Sequence, residues 1–384
     1  MDEVSRKYAN TFFCLGYACL LLGFLIANTH FPVPDIFKSF FILLGTVFVI
    51  IKMLVFDKVV FNSKFIKLVI WISMLIVISI ISTIKSSYSI LTLDIIFILA
   101  ANKVDFEKIL KTFIITNSFM LIIMFGLSQL GIIHDRLIFR GNQIRHTFGY
   151  VWPTDLVSLI SFIFMADLYI TLKNKKNVMS HIFFYLIVDA LLYFTTYARL
   201  NCVIIIFISI LGIWFQFKPN GYLFFRKKEW VLKLAFFLCA LISYIIVSSY
   251  MKNPFSPFFN ALNDFTSNRL SIVYIGINSF GYTLFGDKIY SQDFLTNIHS
   301  SWFFVDSTYY SFFLIYGVIL FILVGVSYYL VVKKMLTQNE YIIPIFLLVI
   351  CIASLIEFHF YWINYNVFLL SVFARMKEAV SISS

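Results

Sequence analysis

Residues 200–217, LNCVIIIFISILGIWFQF, form a run of 18 residues without a charged side chain. An α-helix rises about 1.5 Å per residue, and about 20 apolar residues cross the ~30 Å hydrocarbon layer of a bilayer. The run does not alternate between apolar and polar residues, as a half-buried strand would. Backbone groups in lipid must also be hydrogen-bonded within the protein. The stretch therefore predicts a transmembrane α-helix.

Similar runs recur along the whole chain, which has a mean hydropathy of +0.92. Only 13% of its residues are charged, compared with about 25% in soluble domains. Twelve spans are predicted, near residues 9–28, 36–56, 65–84, 87–101, 109–130, 154–172, 181–197, 200–217, 231–250, 308–332, 341–360 and 362–376. We therefore expect an all-α polytopic membrane protein with about 12 transmembrane helices. It would comprise a bundle over residues 1–250, one long extracytoplasmic loop over 251–307 and a bundle over 308–384, in a single integral domain.

The basic residues predict the orientation of these spans. With the N-terminus inside, the lysine-rich connections all fall on the cytoplasmic side, as the positive-inside rule requires. Both termini are then cytoplasmic. Of the 30 lysines and arginines, nine fall on the outer side: Lys38, Lys85, Lys252, Lys288, Arg136, Arg140, Arg145, Arg199 and Arg269. Arginine is thus over-represented outside, where positive charge is otherwise disfavoured.

This excess of arginine has a chemical interpretation. A guanidinium group offers a rigid fork of five N–H donors that matches phosphate oxygens bidentately, whereas a lysine ammonium is a flexible point charge. The outer arginines therefore predict a pyrophosphate site. The alternative is that they reach outer lipid headgroups or pair with Asp135, Asp264 or Asp287.

Several other classes of function are disfavoured. The net charge of +11 is explained by cytoplasmic lysines that meet anionic lipid headgroups, so nucleic acid is not an expected partner. All five cysteines fall in predicted spans, and no metal-ligand or nucleotide-binding motif is present. Energy must therefore come from a gradient or from an activated, membrane-borne substrate. Polar residues inside spans are further candidates; these are Asp94, Asp155, Asp189, Glu357 and His359.

The loop over 251–307 is the longest stretch outside the predicted spans. Apolar residues recur at helical spacing from Phe258 to Phe280 and are followed by Gly281. This pattern predicts an amphipathic helix that ends at Gly281 and lies on the outer leaflet or folds back over the bundle.

Four segments in this order resemble the Wzy-type polysaccharide polymerases, which are related to O-antigen ligases. They are RHTFGYVWPTD (145–155), TTYARLN (195–201), SNRLSIVYIGINSFGYTLFGD (267–287) and VDSTYYSFFLIYG (305–317). Each is short, but their order around one long loop matches the family. In topology the resemblance covers most of the chain.

The resemblance implies a GT-C-like glycosyltransferase that polymerises undecaprenyl-pyrophosphate-linked oligosaccharide repeat units for an O-antigen or capsule. The reaction would take place on the outer face of a bacterial cytoplasmic membrane without a metal or other cofactor. Further partners would be membrane lipids, a chain-length regulator and a flippase. Pyrophosphate would bind Arg145, Arg199, Arg269 and then Arg140, and glycan would contact Tyr150, His146 and Tyr309.

The implied catalytic base is Asp306 or its rival His299. Asp306 lies where the ligase branch often has His-Asn, so the base would be a carboxylate. The alternative role of Asp306 is to cap the tenth predicted helix. Two other functions stay open: a ligase with a different acceptor, and a transporter such as a flippase for the same lipid-linked oligosaccharide. A structural envelope protein would leave the arginines unexplained.

Overall fold

The structure is a computed structural model that describes residues 3–57, 63–140, 142–218, 221, 223–289, 291–292, 299–300 and 305–376, with backbone alone for 63–68, 223, 291–292 and 299–300. Its α-helices are α1 (Glu3–Ala27), α2 (Asp35–Phe56), α3 (Ser63–Ser86), α4 (Ile90–Ala100), α5 (Phe106–Gln129), α6 (Pro153–Lys173), α7 (Met179–Thr196), α8 (Arg199–Phe217), α9 (Leu223–Arg226), α10 (Glu229–Lys252), α11 (Pro257–Phe265), α12 (Arg269–Phe280), α13 (Thr308–Ser311), α14 (Val318–Thr337) and α15 (Ile342–Ala353). Two antiparallel pairs complete it: β1 (Leu137–Arg140) with β2 (Gln143–His146), and β3 (Ser291–Gln292) with β4 (His299–Ser300).

Within the described residues, nine helices are long and apolar enough to cross a membrane: α1, α2, α3, α5, α6, α7, α8, α10 and α14. The helices α4 and α15 are apolar but shorter. The chain is therefore an all-α polytopic membrane protein, as the sequence predicts, and nine of its described helices, compared with the twelve spans expected, have the length and composition to cross a membrane.

The twelfth predicted span, residues 362–376, was wrong. This segment holds only a 3-10 helix, Val367–Val372, and irregular backbone. Asn364 and Asn366 interrupt the apolar run, and asparagine side chains compete with helical backbone bonds. The segment is nevertheless buried, and some of its backbone groups are bonded to other parts of the protein: Tyr17 donates to the Ile363 carbonyl at 2.7 Å, and Arg375 N donates to the Val104 carbonyl at 2.7 Å. Irregular backbone is tolerated in a membrane protein where other protein surrounds it.

The tenth predicted span is interrupted. After α13, a π-helix (Phe312–Tyr316) leads to Gly317, whose φ is +96°, and α14 begins one residue later. A stretch of the preceding loop runs beside this break. Four backbone hydrogen bonds join the two, from Thr283 N to Phe313 O, Asp287 N to Ile315 O, Val318 N to Thr283 O and Ile319 N to Leu284 O.

The long loop contains two helices where the sequence predicts one. Ser267 and Asn268, with φ of 65° and 64°, separate α11 from α12. The predicted end of the helix is confirmed, since α12 is capped by Gly281 at φ 69°. Helix α11 exposes Phe258 and Phe265, as an amphipathic helix at a membrane interface would.

The helices form two compact units. The first comprises the described parts of residues 1–58, 96–226 and 363–384, and the second those of 59–95 and 227–362. One end of the first unit joins the end of α1 to the segment before α6, where His30 N donates to Gly149 O at 2.8 Å. At its other end, the Lys52 ammonium donates to the Asn102 carbonyl at 2.6 Å. That this second end faces the cytoplasm is a prediction of the lysine distribution.

Candidate functional site

The hairpin β1–β2 places two of the predicted arginines on one face. Ile138 pairs with Arg145, and Arg140 pairs with Gln143. Alternate residues of a strand share a face, and diagonal neighbours across an antiparallel pair lie about 7–8 Å apart. Arg140 and Arg145 are therefore neighbours on the same face of the hairpin.

Arg145 also connects the hairpin to the turn between α7 and α8. Its Nε donates to the carbonyl of Thr196, the last residue of α7, at 2.7 Å. A cation is favoured at a helix C-terminus, where carbonyl groups lack helical partners. The chain reverses through Tyr197, in the left-handed conformation at φ 49°, and α8 begins at Arg199, whose side chain is exposed. Arg140, Arg145 and Arg199 thus gather at one end of the first unit.

Asp135, just before β1, is held by several donors. Its Oδ1 accepts hydrogen bonds from the amides of Thr147 and Phe148, both at 2.9 Å. Its Oδ2 lies 2.6 Å from Nδ1 of His146. Burial acts to raise the pKa of Asp135, but the hydrogen bonds from His146 and the two amides outweigh it and hold the pKa below its ordinary value. The partner of Asp135 is therefore a histidine, and not an arginine as the alternative interpretation expected.

The second unit contains a chain of four charged or titratable side chains. Arg269 Nε lies 2.6 Å from Asp306 Oδ2, and Arg269 Nη2 lies 4.0 Å from Glu357 Oε1. Glu357 Oε2 in turn lies 2.9 Å from Nδ1 of His359. Side-chain exposure falls along this chain, from 28% at Asp306 through 14% and 7% to 2% at His359. One end of the network is therefore accessible and the other is sealed in the protein.

The helix-capping role considered for Asp306 is not what its side chain does. The residue that caps α13 is Ser307, which makes no side-chain capping bond. The amide of Thr308, at the start of that helix, donates instead to the carbonyls of Ser354 and Glu357, at 3.1 and 3.0 Å. Asp306 is an ion-pair partner of Arg269, and this pairing of two predicted site residues lies within one unit.

The remaining predicted residues differ in their surroundings. Tyr150 and Tyr309 are both buried, and the Tyr309 hydroxyl donates to the Cys351 carbonyl at 2.8 Å. Neither ring has an exposed face for a glycan. His299 belongs to β4, and its side chain lies outside the described part of the structure.

Two features escaped the sequence analysis. The first is the hairpin β1–β2, which the sequence could have predicted. Gly141 and Asn142 lie between two short runs of alternating residues, and Gly-Asn in that position is a known signal for a two-residue hairpin turn. The link between Arg269 and Glu357 carried no comparable signal, because the two residues are far apart in sequence. Within the described residues, no group of three or more His, Cys, Asp or Glu side chains could hold a metal ion.

Comparison of the chain with protein-family models, with curated proteins and with solved structures gave no match.

Proposed function

We propose that this chain is a glycosyltransferase of the bacterial cytoplasmic membrane. It would polymerise oligosaccharide repeat units carried on undecaprenyl pyrophosphate, releasing the lipid pyrophosphate on the outer face of the membrane. The bond between Arg145 and the Thr196 carbonyl carries the proposal, because it joins the arginine-bearing hairpin to the turn that presents Arg199. The resemblance of the four sequence segments supplies the reaction class.

The end of the first unit where these arginines gather is suited to a doubly phosphorylated ligand. The bond from Arg145 Nε to the Thr196 carbonyl holds the guanidinium beside the turn, and a guanidinium is a rigid fork of five N–H donors that matches phosphate oxygens. The N-terminus of α8, which begins at Arg199, adds the positive end of a helix dipole, which favours anions. Arg140 adds a third guanidinium on the same hairpin face.

Such a site would lower the barrier of glycosyl transfer. Negative charge grows on the pyrophosphate as its bond to the sugar breaks, so fixed cationic donors stabilise the transition state more than the substrate. One preorganised donor of this kind is worth about 3–4 kcal/mol, or about 10²–10³-fold in rate. Arg269 has a different position, since Asp306 and Glu357 already offset its charge. Its proposed role is therefore to hold the Asp306 side chain in position, and not to bind pyrophosphate.

The test compares arginine-to-lysine variants in a deletion strain that expresses each one. Arg145→Lys and Arg199→Lys keep a positive charge but lose the fork, so each should abolish the glycan ladder at normal membrane abundance. Arg136→Lys is the matched control: this exposed arginine stacks on Trp152, with its guanidinium carbon 5.5 Å from the ring centre. Lysine can keep that cation–π contact, so the ladder should persist.

The same strain separates the competing functions. A polymerase defect leaves single repeat units displayed outside, whereas a flippase defect leaves them on the inner leaflet. A ligase defect leaves finished polymer on the lipid carrier, unattached to its acceptor. Full ladders from both lysine variants would refute the pyrophosphate role of these arginines.

A further inference from the structure

The hairpin holds a second group suited to chemistry, the pair formed by Asp135 and His146. Asp135 is fixed by two backbone amides, and its lowered pKa keeps it ionised at neutral pH. An ionised carboxylate can only accept hydrogen bonds. The 2.6 Å contact to His146 therefore requires the proton on Nδ1.

The position of that proton fixes the chemistry of the ring. With Nδ1 protonated, the neutral imidazole carries its lone pair on Nε2, the atom that accepts a proton in acid–base catalysis. The His146 side chain is 40% exposed. Its ring stacks on Phe148, with centroids 5.5 Å apart, and Phe148 packs against Phe125 of α5 at 5.3 Å. The imidazole is thus oriented by a carboxylate, supported from behind and open to a ligand.

The positions of His146 and Arg145 limit where a shared substrate can lie. They are consecutive residues of β2, so the imidazole and the guanidinium leave the strand on opposite faces. Because the strand lies between them, the reacting carbon would have to lie beside the edge of β2 or beyond its end at His146. The acceptor hydroxyl would then approach from the imidazole side and the pyrophosphate would depart on the guanidinium side.

We propose that His146, oriented by Asp135, is the general base that activates the acceptor hydroxyl, in place of Asp306 or His299. This inference rests on the proposed function. The acceptor O–H bond breaks as its proton moves to Nε2, and the hydroxyl oxygen bonds to the anomeric carbon. The bond from that carbon to the pyrophosphate oxygen breaks, and its electron pair stays on the lipid pyrophosphate. The imidazolium then releases its proton to water.

The chain supplies a matched control for this role. His181 and Asp167 form a second pair with the same 2.6 Å contact and similar exposure, between α7 and α6. His181 lies near the N-terminal end of α7, whereas Arg145 meets the C-terminal end of that helix. Replacing His181 breaks an equivalent pair at a distance from the arginines.

The experiment uses the full chain in proteoliposomes with lipid-pyrophosphate-linked repeat units isolated from the native strain. We expect His146→Gln to lower kcat about 10²–10⁴-fold with KM nearly unchanged, as for loss of a general base. His181→Gln should stay within a few-fold of the unaltered protein. In His146→Ala, added imidazole should restore part of the rate. Asp135→Asn should lower kcat by up to about 10⁴-fold, the loss that follows this replacement in a Ser-His-Asp triad, where the histidine then takes the wrong tautomer.

A spectroscopic measurement distinguishes orientation from mere structural support. In ¹⁵N-histidine-labelled protein, the neutral His146 ring should carry its proton on Nδ1, and Asp135→Asn should remove that preference. Undiminished kcat in His146→Gln, or a change confined to KM, would overturn the inference and leave the proposed function intact. Absence of polymer from the unaltered protein would overturn both.

Discussion

Removing either partner of the Arg269–Asp306 ion pair should destabilise the second unit, but by unequal amounts. At an effective dielectric constant of about 20, unit charges separated by 2.6 Å attract by about 6 kcal/mol before their lost hydration is subtracted. In Asp306→Asn, the Glu357 carboxylate, 4.0 Å away, still provides Arg269 with a counter-charge. Arg269→Met instead leaves two carboxylates without their shared cation.

The expected costs follow from this asymmetry. Losing one charged hydrogen bond costs about 1.5–3 kcal/mol, which is the expectation for Asp306→Asn. Stranding buried charge costs about 3–5 kcal/mol, which is the expectation for Arg269→Met. At roughly 2 °C per kcal/mol, thermal unfolding in detergent should begin about 3–6 °C lower in the first variant and about 6–10 °C lower in the second.

A second substitution tests the cause. Adding Glu357→Gln to Arg269→Met removes one of the stranded carboxylates, so the double variant should be more stable than Arg269→Met alone. An Asp306→Asn variant that unfolds at or below the temperature of Arg269→Met would refute this account of the network. So would a double variant that is less stable than Arg269→Met.

Three further outcomes are expected. Because the pKa of Asp135 is lowered in the folded protein, its stabilisation is complete above the ordinary value of about 3.9 and is lost as the pH falls through the lower folded pKa. The amides of Thr147 and Phe148, which donate to Asp135, should lose hydrogen-exchange protection as the pH falls through that range. In Asp135→Asn their protection should not change over the same range. Gly286→Ala would place a Cβ against the Ile315 carbonyl at positive φ and should prevent stable folding. Gly281→Ala, also at positive φ but in open space, should cost about 1–3 kcal/mol; comparison of their melting temperatures checks this. Lys52→Met would leave the Asp57 carboxylate and the Asn102 carbonyl without their shared ammonium, and should lower the free energy of unfolding by about 3–5 kcal/mol. Lys108→Met removes only an exposed ion pair, and should shift the melting temperature by less than about 1 °C.

The sequence predicted the spanning helices well where apolar runs were long, because length and composition alone decide whether a helix can cross lipid. It failed at residues 362–376, where burial by the protein, and not by lipid, accounts for the apolar side chains. The break at Gly317 was missed because a helix interrupted inside an apolar run keeps its hydropathy.

The candidate site was predicted only in part. Charge sorting predicted that Arg145 and Arg199 lie on one side of the membrane. The bond that joins Arg145 to the end of α7 depends on a backbone carbonyl, which no side-chain pattern encodes. The partners of Arg269 were equally hidden. Glu357 and His359 were noted as polar residues in an apolar stretch, yet their contact with a residue of the loop depends on how the chain returns in space.

The four backbone bonds between the loop and the break at Gly317 have a mechanical consequence. Residues 283–287 are hydrogen-bonded to the main chain before and after Gly317, so this part of the loop fixes the angle between α13 and α14. If these bonds were broken, α14 could tilt independently of α13. We therefore expect that displacing residues 283–287 would first change the angle between α13 and α14.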